Sequence, residues 1–165
     1  MTESIFERFT SPATMIEAEL ELLEQGEAAV AVIESLLNGD AKNKWGVPYR
    51  AIGLPLRCAL EVAIRLGPTA KPLEPYILSE LKMGDPTAAR ALGALDSLEE
   101  TSVVELAKRL SDDAFELSFE SAAALWRCGH YQHPMVLRAA TESEKAAKIL
   151  AWFDAYLLRR THTKT

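Results

Sequence analysis

Apolar residues recur along this chain at three- and four-residue spacing almost from end to end, and no stretch of clean two-residue alternation bounded by turns interrupts them. That periodicity predicts an all-α protein. Helices are expected over residues 12–25, 27–38, 55–66, 72–83, 86–96, 99–110, 114–128 and 142–160, with shorter pieces near 46–53 and 134–140. Their starts carry oxygens for the free N–H groups of a first turn: Ser11 before Pro12, the boxes Ser97 to Glu100 and Thr141 to Glu144, and Asp113 ahead of Glu116. Their ends carry Gly26, Gly39, Gly67, Gly84 and Gly129, which accept the left-handed conformation beyond a last turn.

A step of 31 residues separates a compact bundle from a repeat array. From Ala29 it meets Leu60, Ala91, Ala122 and Phe153; from Val32, Ala63, Ala94, Leu125 and Tyr156; from Ile33, Ile64, Leu95, Trp126 and Leu157. Every position is apolar, which describes one buried stripe on five successive helices. Any amphipathic helix supplies the spacing within a unit, so bundle helices of equal length remain the competing explanation. Helices 55–66, 86–96, 114–128 and 142–160 are expected side by side, with Leu60, Ile64, Leu95, Leu125 and Trp126 buried.

Two stretches add a likeness. Gly84-Asp85-Pro86 leading through Arg90 to Leu95, and Asp112-Asp113 leading through Trp126 to Gly129, resemble the second helix of a short HEAT-type repeat: an Asp turn, an Arg early in the helix and an Ala-Leu-Gly ending. The likeness covers about residues 55–129. The early Val-Arg pair of that pattern is replaced by Ala88-Ala89 and by Glu116-Leu117, and Arg57 also departs from it. The resemblance implies a right-handed α-solenoid of four to five helix pairs, of the lyase-type HEAT variety, whose second helices line a concave face and bind other macromolecules. It would comprise an acidic helix pair 12–38, a loop 39–50, repeats 51–129 and a C-terminal capping helix 142–160 in a single domain 1–165. A looser likeness joins it to the HEAT-like immunity proteins of bacterial toxin systems.

Charge narrows the partners. The formal net charge is −6, yet residues 1–40 carry nine acids and one base and the remaining residues fifteen acids and seventeen bases. A phosphate backbone would be repelled at that N-terminal end, so nucleic acid is not the expected partner. No apolar run is long enough to span a membrane, and the start has neither a basic nor an apolar leader region. Two cysteines 70 positions apart form no disulfide framework, and a reducing cytoplasm is the expected setting.

Helix 12–25 places Glu17, Glu21 and Glu24 on one face, with Ile16, Leu20 and Leu23 on another expected to face the core. Like charges at this spacing repel, and either solvent or a basic partner would face them. The polar stretch ending in Trp45, Tyr49 and Arg50 carries the residue types of interface hot spots; its aromatics either contact a partner or fold back on the first repeat. Arg90, Glu116 and Glu120 are the candidate contacts if the partner lies on the concave face instead. Cys128, His130 and His133 are three possible soft-metal ligands, but zinc wants a fourth ligand or a shaped open position; His162 falls in the tail, and no metal is expected. No cofactor is expected either, since the chain has no phosphate-binding Gly-rich loop, no His-Glu-x-x-His and no nucleophile elbow. These features point to a non-enzymatic binder, most concretely an immunity protein that occludes a basic toxin or effector domain. A secretion-system adaptor or assembly chaperone, and a HEAT-type lyase or DNA glycosylase, are the alternatives.

Overall fold

The structure, a computed structural model, describes residues 4–162, with the side chains of the last helix as far as Tyr156 together with Arg159 and Arg160. The column position Leu157 and the side chain of His162 therefore lie outside the described residues. Helices run in the order α1 (Ile5–Arg8), α2 (Met15–Glu24), α3 (Ala28–Leu37), a 3-10 turn Tyr49–Ala51, α4 (Gly53–Leu66), a 3-10 segment Gly67–Leu73, α5 (Glu74–Lys82), α6 (Pro86–Ala94), α7 (Glu100–Arg109), α8 (Phe115–Arg127), α9 (Pro134–Glu142) and α10 (Glu144–His162). The protein is all-α: among the described residues, extended pairing is confined to one isolated bridge between Lys42 and Pro48.

Each helix expected from periodicity is present, within a few residues. Two elements were not foreseen. The single turn of α1 is too short to show a period, and tertiary contacts hold it, with Phe9 fully buried and Phe6 against the Tyr49 ring. Residues 67–73 contain Pro68 and Pro72, which lack the N–H that an α-helix would need, so the chain tightens into 3-10 geometry there.

The caps were only partly legible. Asp85 accepts the Thr87 N–H at 2.8 Å, as an Asp ahead of Pro86 should. The two boxes and the Asp113 start behave differently. Helix α7 begins at Glu100 with no side-chain cap from Ser97; the Glu74 carboxylate, from the neighbouring α5, accepts the Glu99 N–H at 2.8 Å. Asp112 rather than Asp113 serves the start of α8, accepting from Ala114 at 3.0 Å. Thr141 stays inside α9, bonded to the Leu137 carbonyl, and Ser143 faces the first turn of α10.

Packing follows a strict alternation. Helices α2, α4, α6, α8 and α10 touch one another in that order and form one row; α3, α5, α7 and α9 form the other; and each of α4, α6, α8 and α10 also packs on the helix before it. The step of 31 therefore finds the even-row helices from α4 onward, where Leu60, Ala91 and Ala122 are fully buried, but not a uniformly buried stripe, since Ala94 and Phe153 are half-buried and Tyr156 is exposed. Its first member is misplaced: Ala29 is buried, but on α3, which stands in the odd row. The position beside α4 in the even row belongs to α2. Tightest of all is the approach of α6 to α8, two helices that bury small residues, Ala88, Ala89, Ala91 and Gly93 on one and Ser118, Ser121, Ala122 and Ala124 on the other, with Gly93 against Ala124. A Cβ on Gly93 would lie 2.9 Å from the Ala124 Cα.

Polar links reinforce the stacking at separations close to the apolar period. Arg50 meets Glu80 at 2.9 Å, Arg90 pairs with Glu61, Arg109 donates to the Lys82 carbonyl at 3.0 Å, and His133 contacts Glu100 at 2.9 Å. Leu60, Leu95 and Leu125 are buried as expected, whereas Ile64 and Trp126 are only half-buried. Helix α2 is turned from its expected orientation: Ala18, Glu19 and Leu22 face inward, and Ile16 and Leu20 are 57% and 50% exposed. Burying Glu19 is tolerable because Arg65 of α4 lies 3.7 Å away.

Candidate functional site

The one strongly aromatic surface of the described residues lies between α8 and α10. These helices run in the same direction, since the Lys145 ammonium reaches the Asp112 and Asp113 carbonyls and, two turns on, the Phe119 ring contacts Trp152 and Phe153 at 5.5 and 5.1 Å. Small residues at the α6–α8 contact bring Arg90 of α6 to the same face. The result is a groove of about 390 Å³ walled by Phe119, Ala123, Trp126, Trp152, Phe153 and Tyr156, with Arg90, Glu120, Arg127 and Arg160 among its lining residues. Trp152 and Tyr156 stack at 5.4 Å and stay 52% and 45% exposed. On a helix whose Ala146 and Ile149 are buried, water touches rings that ordinarily find a partner.

Charges around the groove are unevenly satisfied. Arg90 is held by Glu61, and the Arg160 guanidinium lies over the Tyr156 ring, 5.8 Å from its centroid. Arg127 is exposed and forms no ion pair among the described residues. Burial pushes the Glu120 carboxyl above the usual range against the pull of Arg90 and Arg127, and Glu116 adds to the rise. Trp126 stacks on Tyr131 at 4.3 Å, and its buried indole N–H has no acceptor among the described residues.

The expected site residues are thus divided. Arg90 and Glu120 meet in this groove, and Glu116, one turn before Glu120, is exposed beside it. Glu17, Glu21 and Glu24 are exposed on α2 as expected, but Arg8 of α1 pairs with Glu21 and lies 4.0 Å from Glu17, which neutralises part of that face. The loop residues part company. Trp45 stands 73% exposed at the tip of a turn pinned by the Asn43 side chain, which accepts from the amides of Trp45 and Val47 at 3.0 Å. Tyr49 folds inward: it is 3% exposed, its hydroxyl donates to Glu7, and burial with that carboxylate pushes its pKa up to about 12. Arg50 is occupied by Glu80. Both tie the loop to the body, Tyr49 from a buried position and Arg50 with its side chain still 39% exposed.

Cys128, His130 and His133 do not converge. The Cys128 thiol faces the Leu92 and Gly93 carbonyls at 3.8 Å, and burial raises its pKa to about 11. His133 caps α9, its Nδ1 accepting from Met135 at 3.2 Å while Nε2 faces Glu100. No group of three or more ligating side chains placed to hold a metal occurs among the described residues.

Sequence reasoning missed Phe119, Arg127, Trp152 and Arg160, and took Tyr156 for a buried column position. A signal was present: seven of the twelve aromatic residues fall between Phe115 and Tyr156. Periodicity placed Trp126, Phe153 and Tyr156 on the buried stripe because it cannot tell a stripe covered by a further helix from one left open. Comparison with family models, curated proteins and solved structures gives no match.

Proposed function

We propose that the chain is a non-catalytic protein-binding module, a right-handed superhelix of helix pairs with the even row on its concave side, and that it neutralises a toxin or effector domain by covering it. The alternation of two helix rows supports the superhelix, because each new pair packs chiefly on its neighbours. The observation that carries the binding reading is the open aromatic groove between α8 and α10. Exposed Trp and Tyr beside arginines are the composition of interface anchors, and leaving them in water is unfavourable unless something covers them. The acidic residues of α2 and the Trp45 tip form a second contact region, linked through α1 by the Arg8–Glu21 and Glu7–Tyr49 contacts.

The test is capture from the native source on immobilised chain, followed by expression of the captured partner's gene alone and together with this chain. A partner that arrests growth alone, and is relieved by the wild-type chain but not by a Trp152→Ala variant, is the expected result. A partner harmless by itself would return the chain to an adaptor or chaperone role. Release of a base from alkylated DNA, or modification of a tetrapyrrole, by the isolated chain would overturn the non-catalytic reading.

A further inference from the structure

The groove's charge indicates what kind of segment fills it. In a chain of net charge −6, the residues bordering these rings include three arginines and one carboxyl. Arg90 has its counter-ion in Glu61, and Arg160 rests on the Tyr156 face, so a guanidinium already occupies the ring surface that an incoming cation would seek. Arg127 still offers its charge at the rim. Glu120, the one carboxyl facing inward, is desolvated and holds its proton more readily than an ordinary glutamate, so it opposes an incoming anion less. A volume of about 390 Å³ is at the small end for ligand sites and suits one or two large side chains of a longer segment.

We propose that the α8–α10 groove seats an acidic segment of a protein partner, with one aromatic or large aliphatic side chain inserted against Trp152 and Phe119 and a flanking carboxylate meeting Arg127. This rests on the protein-binding reading above and gives it a chemistry. A basic segment would meet the like charge of Arg127, which has no ion pair among the described residues, and like-charge juxtaposition costs affinity. Single-stranded nucleic acid also likes rings beside arginines, but with one charge on every nucleotide it is opposed more strongly than a segment of a few carboxylates by the exposed Glu116 and by the acidic N-terminal end. If the partner is basic overall, its basic surface meets the α2 end, Glu17, Glu21 and Glu24, and this acidic segment is a separate element of it.

The experiment is a titration of the full chain followed through its three indole N–H resonances, assigned with Trp→Phe variants. The probes are an acidic decapeptide with a central Phe, the same peptide with Lys for every acid, the acidic peptide with Ala for Phe, and decathymidylate. The acidic Phe peptide is expected to shift the Trp152 and Trp126 signals and leave that of Trp45 in place. Its affinity should fall about ten-fold or more in Arg127→Glu and in the Ala-for-Phe peptide, a loss of about 1.4 kcal/mol for each factor of ten. Both Arg127 and Trp152 are exposed, so these variants should keep the wild-type helical spectrum, and Arg127→Lys should restore most of the binding. A lysine peptide that shifts the same two signals as strongly overturns the acidic assignment while leaving the groove a protein-binding site. Decathymidylate binding more tightly than the acidic peptide overturns it in favour of nucleic acid. If no probe moves either signal, the groove fails both as the seat of an acidic segment and as the anchor of the proposed function.

Discussion

At the scale of single residues, backbone proximity decides more than hydrophobicity. Gly93→Ala would ordinarily strengthen a helix by about 1 kcal/mol. Here the new Cβ would sit 2.9 Å from the Ala124 Cα, so α6 and α8 must separate, and a net loss of about 1–3 kcal/mol is expected from urea unfolding. Asp96 is the one non-glycine described residue with positive φ, at 70°. Asp96→Gly should raise stability by about 0.5 kcal/mol, the relief of left-handed strain exceeding the greater freedom given to the unfolded chain. Leu95→Ala, at a fully enclosed site, should cost about 2–5 kcal/mol. A loss below about 1 kcal/mol there would mean that the α6 end is not packed as described.

At the scale of elements, the start of α7 shows how a helix borrows its cap. Burial pushes the Glu74 carboxyl up, yet the Lys71 ammonium and the Glu99 amide outweigh it and hold it below the usual carboxylate range. A carboxylate whose folded pKa is lowered contributes stability above its unfolded pKa, near 4.3, and loses it as pH falls through the folded value. Glu74→Gln should therefore destabilise by about 1–3 kcal/mol at pH 7 and progressively less on acidification below about pH 4, as thermal melts across that range would register. An equal penalty at pH 7 and pH 3 would show that the charge is not what matters. No window around residues 97–100 reveals this arrangement, because the cap arrives from 25 residues upstream.

At the scale of the whole molecule, the acidic face and the clustered rings stand at opposite ends of the even row, with the exposed Trp45 on the acidic side. Acids stand on α2, where Arg8 offsets only part of them, and exposed aromatics stand on α8 and α10. Changing Glu17, Glu21 and Glu24 together to Gln should slow association with a captured partner and flatten its salt dependence, since rim charges steer encounter. Trp45→Ala should mainly speed dissociation, by about 30-fold if the loop tip is an anchor worth about 2 kcal/mol. Stopped-flow traces that respond to Trp152→Ala and ignore both of these changes would place the whole contact at the α8–α10 groove.

Local chemistry in the sequence was enough for the helices, their glycine ends and the even-row core positions Leu60, Leu95 and Leu125, because a 3.6-residue period and a left-handed stop are properties of a short segment. It also singled out Arg90 and Glu120, whose helix register puts them on one face. Which side of α2 turns inward depended on Arg65 being available to Glu19, and whether Tyr49 or Trp45 faced water depended on the Glu7 carboxylate of α1. The groove depended on how α10 packs beside α8, which brings Phe119, Trp152 and Phe153 together. An amphipathic stripe reads the same whether or not another helix follows to cover it, so the exposure of Trp152 and Tyr156 was settled by tertiary neighbours alone.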